Sequence, residues 1–173
     1  MQIRIATKKD LLAICTFYKQ VCEDQKYDQY GADWHWGIYP SKAILENFLN
    51  TAKIIIGIED NHVISAGVLT DGEDPNYKNV HWLEKVVDSK VTVLHLFSVL
   101  RSARGHGIAQ QMLKEIIEVA KLADYQVIHL DVMKGNLPAE KLYQKVGFNF
   151  VEEATIHYKD DGDTQAMMYE RKI

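Results

Sequence analysis

The chain has 173 residues, 47% of them hydrophobic and 25% charged, the ordinary make-up of one globular domain spanning 1–173. A formal net charge of −4 gives no general basis for binding nucleic acid, and no apolar run approaches the roughly 18–20 residues of a membrane span. Met1-Gln2-Ile3-Arg4-Ile5 lacks an apolar leader segment, so a cytoplasmic location is expected.

In chain order, residues 2–6 alternate like a short strand. Thr7 with Asp10 three residues on resembles a capping box and opens a helix to about Glu23. Its apolar positions Leu11, Leu12, Ile14, Cys15, Tyr18, Val21 and Cys22 recur at helical spacing. Cys15 and Cys22 would lie about 10 Å apart on it, too far for a disulfide, and read as small buried apolar residues. The seven histidines (His35, His62, His81, His95, His106, His129 and His157) show no ligand spacing, so no structural metal is expected.

An aromatic, polar loop from Tyr27 to Tyr39 carries Tyr30, Trp34 and Trp36, and Pro40-Ser41 opens a short helix through Leu49. Residues 53–58 and 63–70 read as a hairpin turning at 59–62, and residues 71–79 as a polar loop. Val91 to Val99 is long, β-rich and nearly uncharged, which predicts a central strand. From about Gly107 to Ala123, Ala109, Met112, Leu113, Ile116, Ala120 and Ala123 share one helical face. Residues 126–133 read as a buried strand. Asn136-Leu137-Pro138 opens a helix that stops at Gly147. Strands at 148–158 and 164–171 follow, joined across 159–163. The order is β-α-α-β-β-β-α-β-α-β-β, without internal repeats.

Arg104-Gly105-His106-Gly107-Ile108-Ala109 falls where the central strand gives way to the amphipathic helix. Such a helix start exposes backbone N–H groups at the positive end of the dipole and suits a phosphate. A dinucleotide fingerprint fails because Gln110 stands at its third small-residue position. A P-loop fails because no Gly-Lys-Ser/Thr follows.

What remains is Arg/Gln-x-x-Gly-x-Gly/Ala, fitted by Arg104, Gly107 and Ala109. A second pattern lies about thirty residues downstream: Asn136-x-Pro138-Ala139-x-x-Leu142-Tyr143-x-Lys145-x-Gly147-Phe148. Together they resemble the GCN5-related N-acetyltransferase (GNAT) family, and the element order agrees over essentially the whole chain. The resemblance implies an α/β (α+β mixed) fold: a mostly antiparallel mixed sheet whose central strands splay apart, flanked by helices. It implies acetyl-CoA as acyl donor, without a metal, and a small-molecule or peptide amine as acceptor. Neither nucleic acid nor membrane is an expected partner, and a homodimer is compatible with it.

By the same resemblance, residues 104–109 wrap the coenzyme A pyrophosphate, and Phe97, Ser98 and Val99 meet pantetheine through their main chain. Asn136 contacts the coenzyme, or simply caps its helix. Tyr143 is the general acid toward the departing thiolate, or a half-buried helix aromatic. Arg101 stands where many family members carry proline, and His106 is either an added phosphate contact or a solvated side chain.

An amine acceptor is mostly protonated near neutrality and must lose a proton before attack. His95, within Val91–Val99, is the first candidate base, alongside a core-histidine reading. Glu73, Asp74, Glu84 and a water chain are the others. The family's acceptor pocket points to Tyr30, Trp34, Trp36 and Tyr39, with Tyr158 opposite; the same aromatics could instead pin the loop to the core. The alternative to an enzyme is a catalytically idle acyl-CoA-binding module on the same fold. The acceptor itself is not legible.

Overall fold

The computed structural model describes residues 1–158 and 162–173; most of the expected turn at 159–163 lies outside them. Strand β1 (Gln2–Ile5) leads through a 3-10 turn at Lys8–Asp10 into α1 (Leu11–Asp24). The expected cap is present: Asp10 accepts the Thr7 amide at 2.7 Å and the Thr7 hydroxyl at 2.9 Å. Arg4 grips the same carboxylate through both terminal nitrogens, which holds the acid well below the usual carboxylate range. Helix α2 (Lys42–Thr51) starts where the Ser41 side chain accepts from the Ile44 amide. Then come β2 (Lys53–Glu59), β3 (His62–Asp71), β4 (Val91–Val99), α3 (Ile108–Leu122), β5 (Val127–Met133), α4 (Leu137–Lys145), β6 (Asn149–Tyr158) and β7 (Gly162–Lys172).

The strands form one seven-stranded sheet in the order β1-β2-β3-β4-β5-β7-β6. Every pairing is antiparallel except β4–β5, which are parallel because α3 carries the chain back between them. Period-two alternation sorts the apolar residues to two faces. On one, Met112, Leu113 and Ile116 of α3 and Tyr143 of α4 pack on Ile55, Leu69, Leu94, Ile128 and Leu130. On the other, Ile14, Phe17, Tyr18 and Val21 of α1 and Leu45 of α2 cover Ile54, Ile56 and Val68. Farther along that second face, Tyr77 and Trp82 of the long β3–β4 connection cover Val91, Val93, Val127 and Met168.

The β4–β5 ladder runs for only three residue pairs, Val91 with Val127, Thr92 with Ile128 and Val93 with His129. Beyond it β4 carries a bulge. The β3 register jumps from Val68–His95 to Ala66–Ser98, and Leu96 takes a left-handed backbone with φ of 52°. That conformation is costly for a leucine and persists only where surroundings enforce it. Here the buried Tyr18 hydroxyl donates to the Leu96 carbonyl at 2.8 Å. The bulge turns β4 away from β5 and opens the sheet at its centre.

Candidate functional site

A cavity of about 740 Å³ occupies this opening. Phe97 of β4, Val132 and Met133 of β5, Asn136 and Ala139 at the start of α4, and Tyr143 in its last turn line one part of it. Trp34, Tyr39, Glu73, Asp74, Tyr77, His95, Asp131 and Tyr158 line the other. A separate cleft of about 240 Å³ is lined by Val99, Ala103, Arg104, Gly105, Gly107, Ile108, Ala109, Gln110, Leu142 and Lys145.

The cleft is built by the glycine turn. Gly105 and Gly107 have φ of 85° and 77°, and Gly107 is the N-cap of α3. A Cβ at either position would meet nothing within 4 Å, so conformation rather than space calls for glycine. The first amides of α3 have no carbonyl one turn back to accept them and lie at this cleft, which Lys145 also lines. The Arg104 side chain is turned elsewhere. Its Nη1 lies 2.7 Å from Asp28 and its Nε donates to the Val99 carbonyl at 3.1 Å. Asp28 also approaches Arg101 at 3.9 Å, so the two arginines brace the turn against the loop after α1. His106 is exposed and outside the lining, and half-buried Ser98 pairs with Ala66 on β3 without lining either space.

Asn136 does two things: its Oδ1 accepts the Ala139 amide at 3.3 Å, capping α4, while the residue lines the cavity. Tyr143, one face of α4 later, is buried edge-on against Phe148 and tilted toward Phe97. Burial, and secondarily the Asp131 charge, push its phenol well above the ordinary value, so it stays protonated throughout the physiological range.

His95 points into the same cavity with Nε2 3.7 Å from Asp74 Oδ2. Asp74 is itself fixed by the Asn76 amide at 2.8 Å. Burial lowers the His95 pKa, and the charges of Asp131, Asp74 and Glu73 offset this only in part. Its imidazole is therefore neutral at pH 7 and free to accept a proton.

Of the aromatic residues expected around an acceptor, Trp34, Tyr39 and Tyr158 line the cavity. Tyr30 and Trp36 do not. Tyr30 is 38% exposed, and the Trp36 ring lies beneath Lys19 of α1, whose ammonium sits 5.4 Å from its centroid. Glu84 is also outside the lining; its side chain pairs with Lys172 at 3.1 Å.

Two groups escaped sequence reasoning, one centred on Asp131 and one on His129. Tyr77 and Tyr158 both donate to Asp131. His129 lies between Glu73 and the buried Glu170, at 2.8 and 2.9 Å, with Trp82 stacked 3.6 Å above its ring. Glu170 accepts the Glu84 amide at 3.1 Å, so this row ties the β3–β4 connection to the sheet. The signal was available: His129 and Asp131 are two apart in an otherwise apolar strand, and Glu170 is embedded in another, so all must share the covered face. Among the described residues no group of three or more His, Cys, Asp or Glu is arranged to hold a metal ion.

Among the described residues the mixed sheet opens at its only parallel pair, with a glycine turn and helix start beside the opening, which is the arrangement the resemblance to the acetyltransferase family leads one to expect. Residues 13–148 match the model of the Acetyltransferase (GNAT) family, and the chain belongs to that family. A curated relative, GCN5-related N-acetyltransferase 6, chloroplastic, from Arabidopsis thaliana, is 41% identical over 71 residues; the match spans 41% of this chain and 24% of that protein. Among solved structures, a ribosomal-protein-alanine N-acetyltransferase from Brucella melitensis superposes with a TM-score of 0.73 at 16% identity, covering 100% of both chains. A putative acetyltransferase from Salmonella typhimurium, solved with its cofactor acetyl-CoA, gives 0.72 at 14% identity over 99% of this chain and 93% of that one. At such identities these two share the fold. Among the described residues no helix is long and apolar enough to cross a membrane.

Proposed function

We propose that the protein is an acetyl-CoA-dependent N-acetyltransferase that acetylates a primary amine by direct transfer within a ternary complex. One observation carries this reading: a neutral, proton-accepting His95 and a protonated Tyr143 line the same cavity from opposite sides of the sheet opening. Acetyl-CoA, when bound, supplies the activated acetyl group. The Gly105–Gly107 turn and the α3 amides hold its pyrophosphate, and the unpaired edge of β4 at Phe97–Val99 meets pantetheine. Asn136 adds a contact through the part of its amide not used in the cap.

His95 takes the proton that the acceptor must lose, and the Asp74 carboxylate stabilises the resulting imidazolium. Tyr143 donates a hydrogen bond to the sulfur as it departs. A thiolate is less basic than this phenolate, so Tyr143 stabilises developing charge rather than surrendering its proton completely. Neither cysteine lines the cavity, which supports direct transfer over an acetyl-cysteine route.

Calorimetric titration with acetyl-CoA tests the donor half, and absence of binding at millimolar concentrations overturns it. Thiol release across an amine panel tests the transfer. Tyr143→Phe is expected to lower kcat roughly 10- to 100-fold while leaving acetyl-CoA affinity unchanged; unchanged kcat removes Tyr143 from the chemistry.

A further inference from the structure

Asp131 sits at i+2 from His129 on β5, facing the cavity, and two phenols from separate elements grip it: Tyr77 from the β3–β4 connection and Tyr158 from the end of β6. Burial and the Asp131 charge push both phenols upward, so they remain donors. Two hydroxyl donors fix the carboxylate's orientation without neutralising it. Among the described residues Asp131 has no Lys, Arg or His ion-pair partner, and no Lys or Arg lines the cavity. The other carboxylates there are already engaged: Asp71 with Lys53 and Tyr125, Glu73 with His129, and Asp74 with the Asn76 amide and His95. Trp34 and Tyr39 supply aromatic walls, surfaces that favour a cation.

A reacting amine needs one base, and the His95–Asp74 pair provides it. A second carboxylate, rigidly held and unmatched by any protein cation, is complementary to a second positive charge on the substrate. We propose that Asp131 is the specificity-determining residue of the acceptor site, and that it selects short diamines or polyamines over monoamines, which lack a second positive charge, and over amines that carry a carboxylate. An acceptor carboxylate brought beside Asp131 would meet like charge. This rests on the acetyltransferase reading above.

Three acceptors of matched length separate the possibilities: 1,5-diaminopentane, pentylamine and 5-aminopentanoate, each assayed with acetyl-CoA for thiol release. The expected kcat/KM for the diamine exceeds that of pentylamine by about tenfold or more, with the amino acid slowest. Asp131→Asn should bring diamine and monoamine to within about twofold of each other with acetyl-CoA affinity unchanged. Equal kcat/KM for the two in the wild type, or a preference that survives Asp131→Asn, overturns the proposal. Should that variant not fold, Tyr158→Phe keeps the carboxylate but loosens its grip and should shrink the same ratio; an unchanged ratio again overturns it. Failure of the diamine alone, with other amines acetylated, sinks only this inference. Failure to bind acetyl-CoA sinks the parent reading as well.

Discussion

His95 illustrates how one residue acquires its chemistry from position. An imidazole has an ordinary pKa near 6.5; inside the cavity burial lowers it, against the opposing charges of Asp131, Asp74 and Glu73. If His95 is the base, kcat/KM holds through neutrality and falls on an acid limb below pH 6.5, where the imidazole becomes protonated. Replacing His95 with Gln should remove that limb and lower the plateau roughly 100-fold; a variant with the wild-type pH profile would take His95 out of the reaction. Stability has a related sign. Below pH 6.5 the unfolded chain takes up this proton before the folded one does, so the native state loses stability as the pH falls through that range.

At the scale of elements, the β4 bulge decides where everything else can go. Tyr18, on α1, reaches across the core to the Leu96 carbonyl, so a helix on one face sets the backbone of the strand that borders the cavity. Tyr18→Phe keeps the ring but leaves that buried carbonyl without its donor, which should cost about 1–3 kcal/mol in denaturant unfolding. A loss well under 1 kcal/mol would mean that packing alone enforces the bulge. Much at this scale was legible in the sequence. Gly-x-Gly before an amphipathic helix, and Asn-x-Pro-Ala before Tyr143, mark backbone positions with few alternatives. The bulge was hidden because nothing local distinguishes Leu96 from its strand neighbours; a distant tyrosine enforces it. The Asp131 and His129 groups were hidden for another reason: their partners, Tyr77, Tyr158, Glu73 and Glu170, are remote in sequence. Arg104 lines the cleft, yet its side chain pairs with Asp28 across 76 positions, which spacing alone could not suggest. Tyr30 and Trp36 failed as lining residues because an aromatic in a loop can equally turn outward or pack on a helix.

For the molecule as a whole, donor binding should stabilise the fold by mass action. At a hundredfold excess over Kd the gain is about 2.7 kcal/mol, or roughly 5–11 °C in Tm for a chain of this size; a Tm indifferent to acetyl-CoA would contradict donor binding to the native state. The three-rung β4–β5 join gives this coupling a location. Strands β1–β4 are laced together on one side of it and β5, β7 and β6 on the other, so the sheet has a seam where few main-chain bonds resist separation. Amide hydrogens along that seam should exchange fastest among the sheet's interior strands, and slow most when the donor is added. In mechanical terms the protein is two plates joined by a short seam, and the proposed acyl donor would be the fastener.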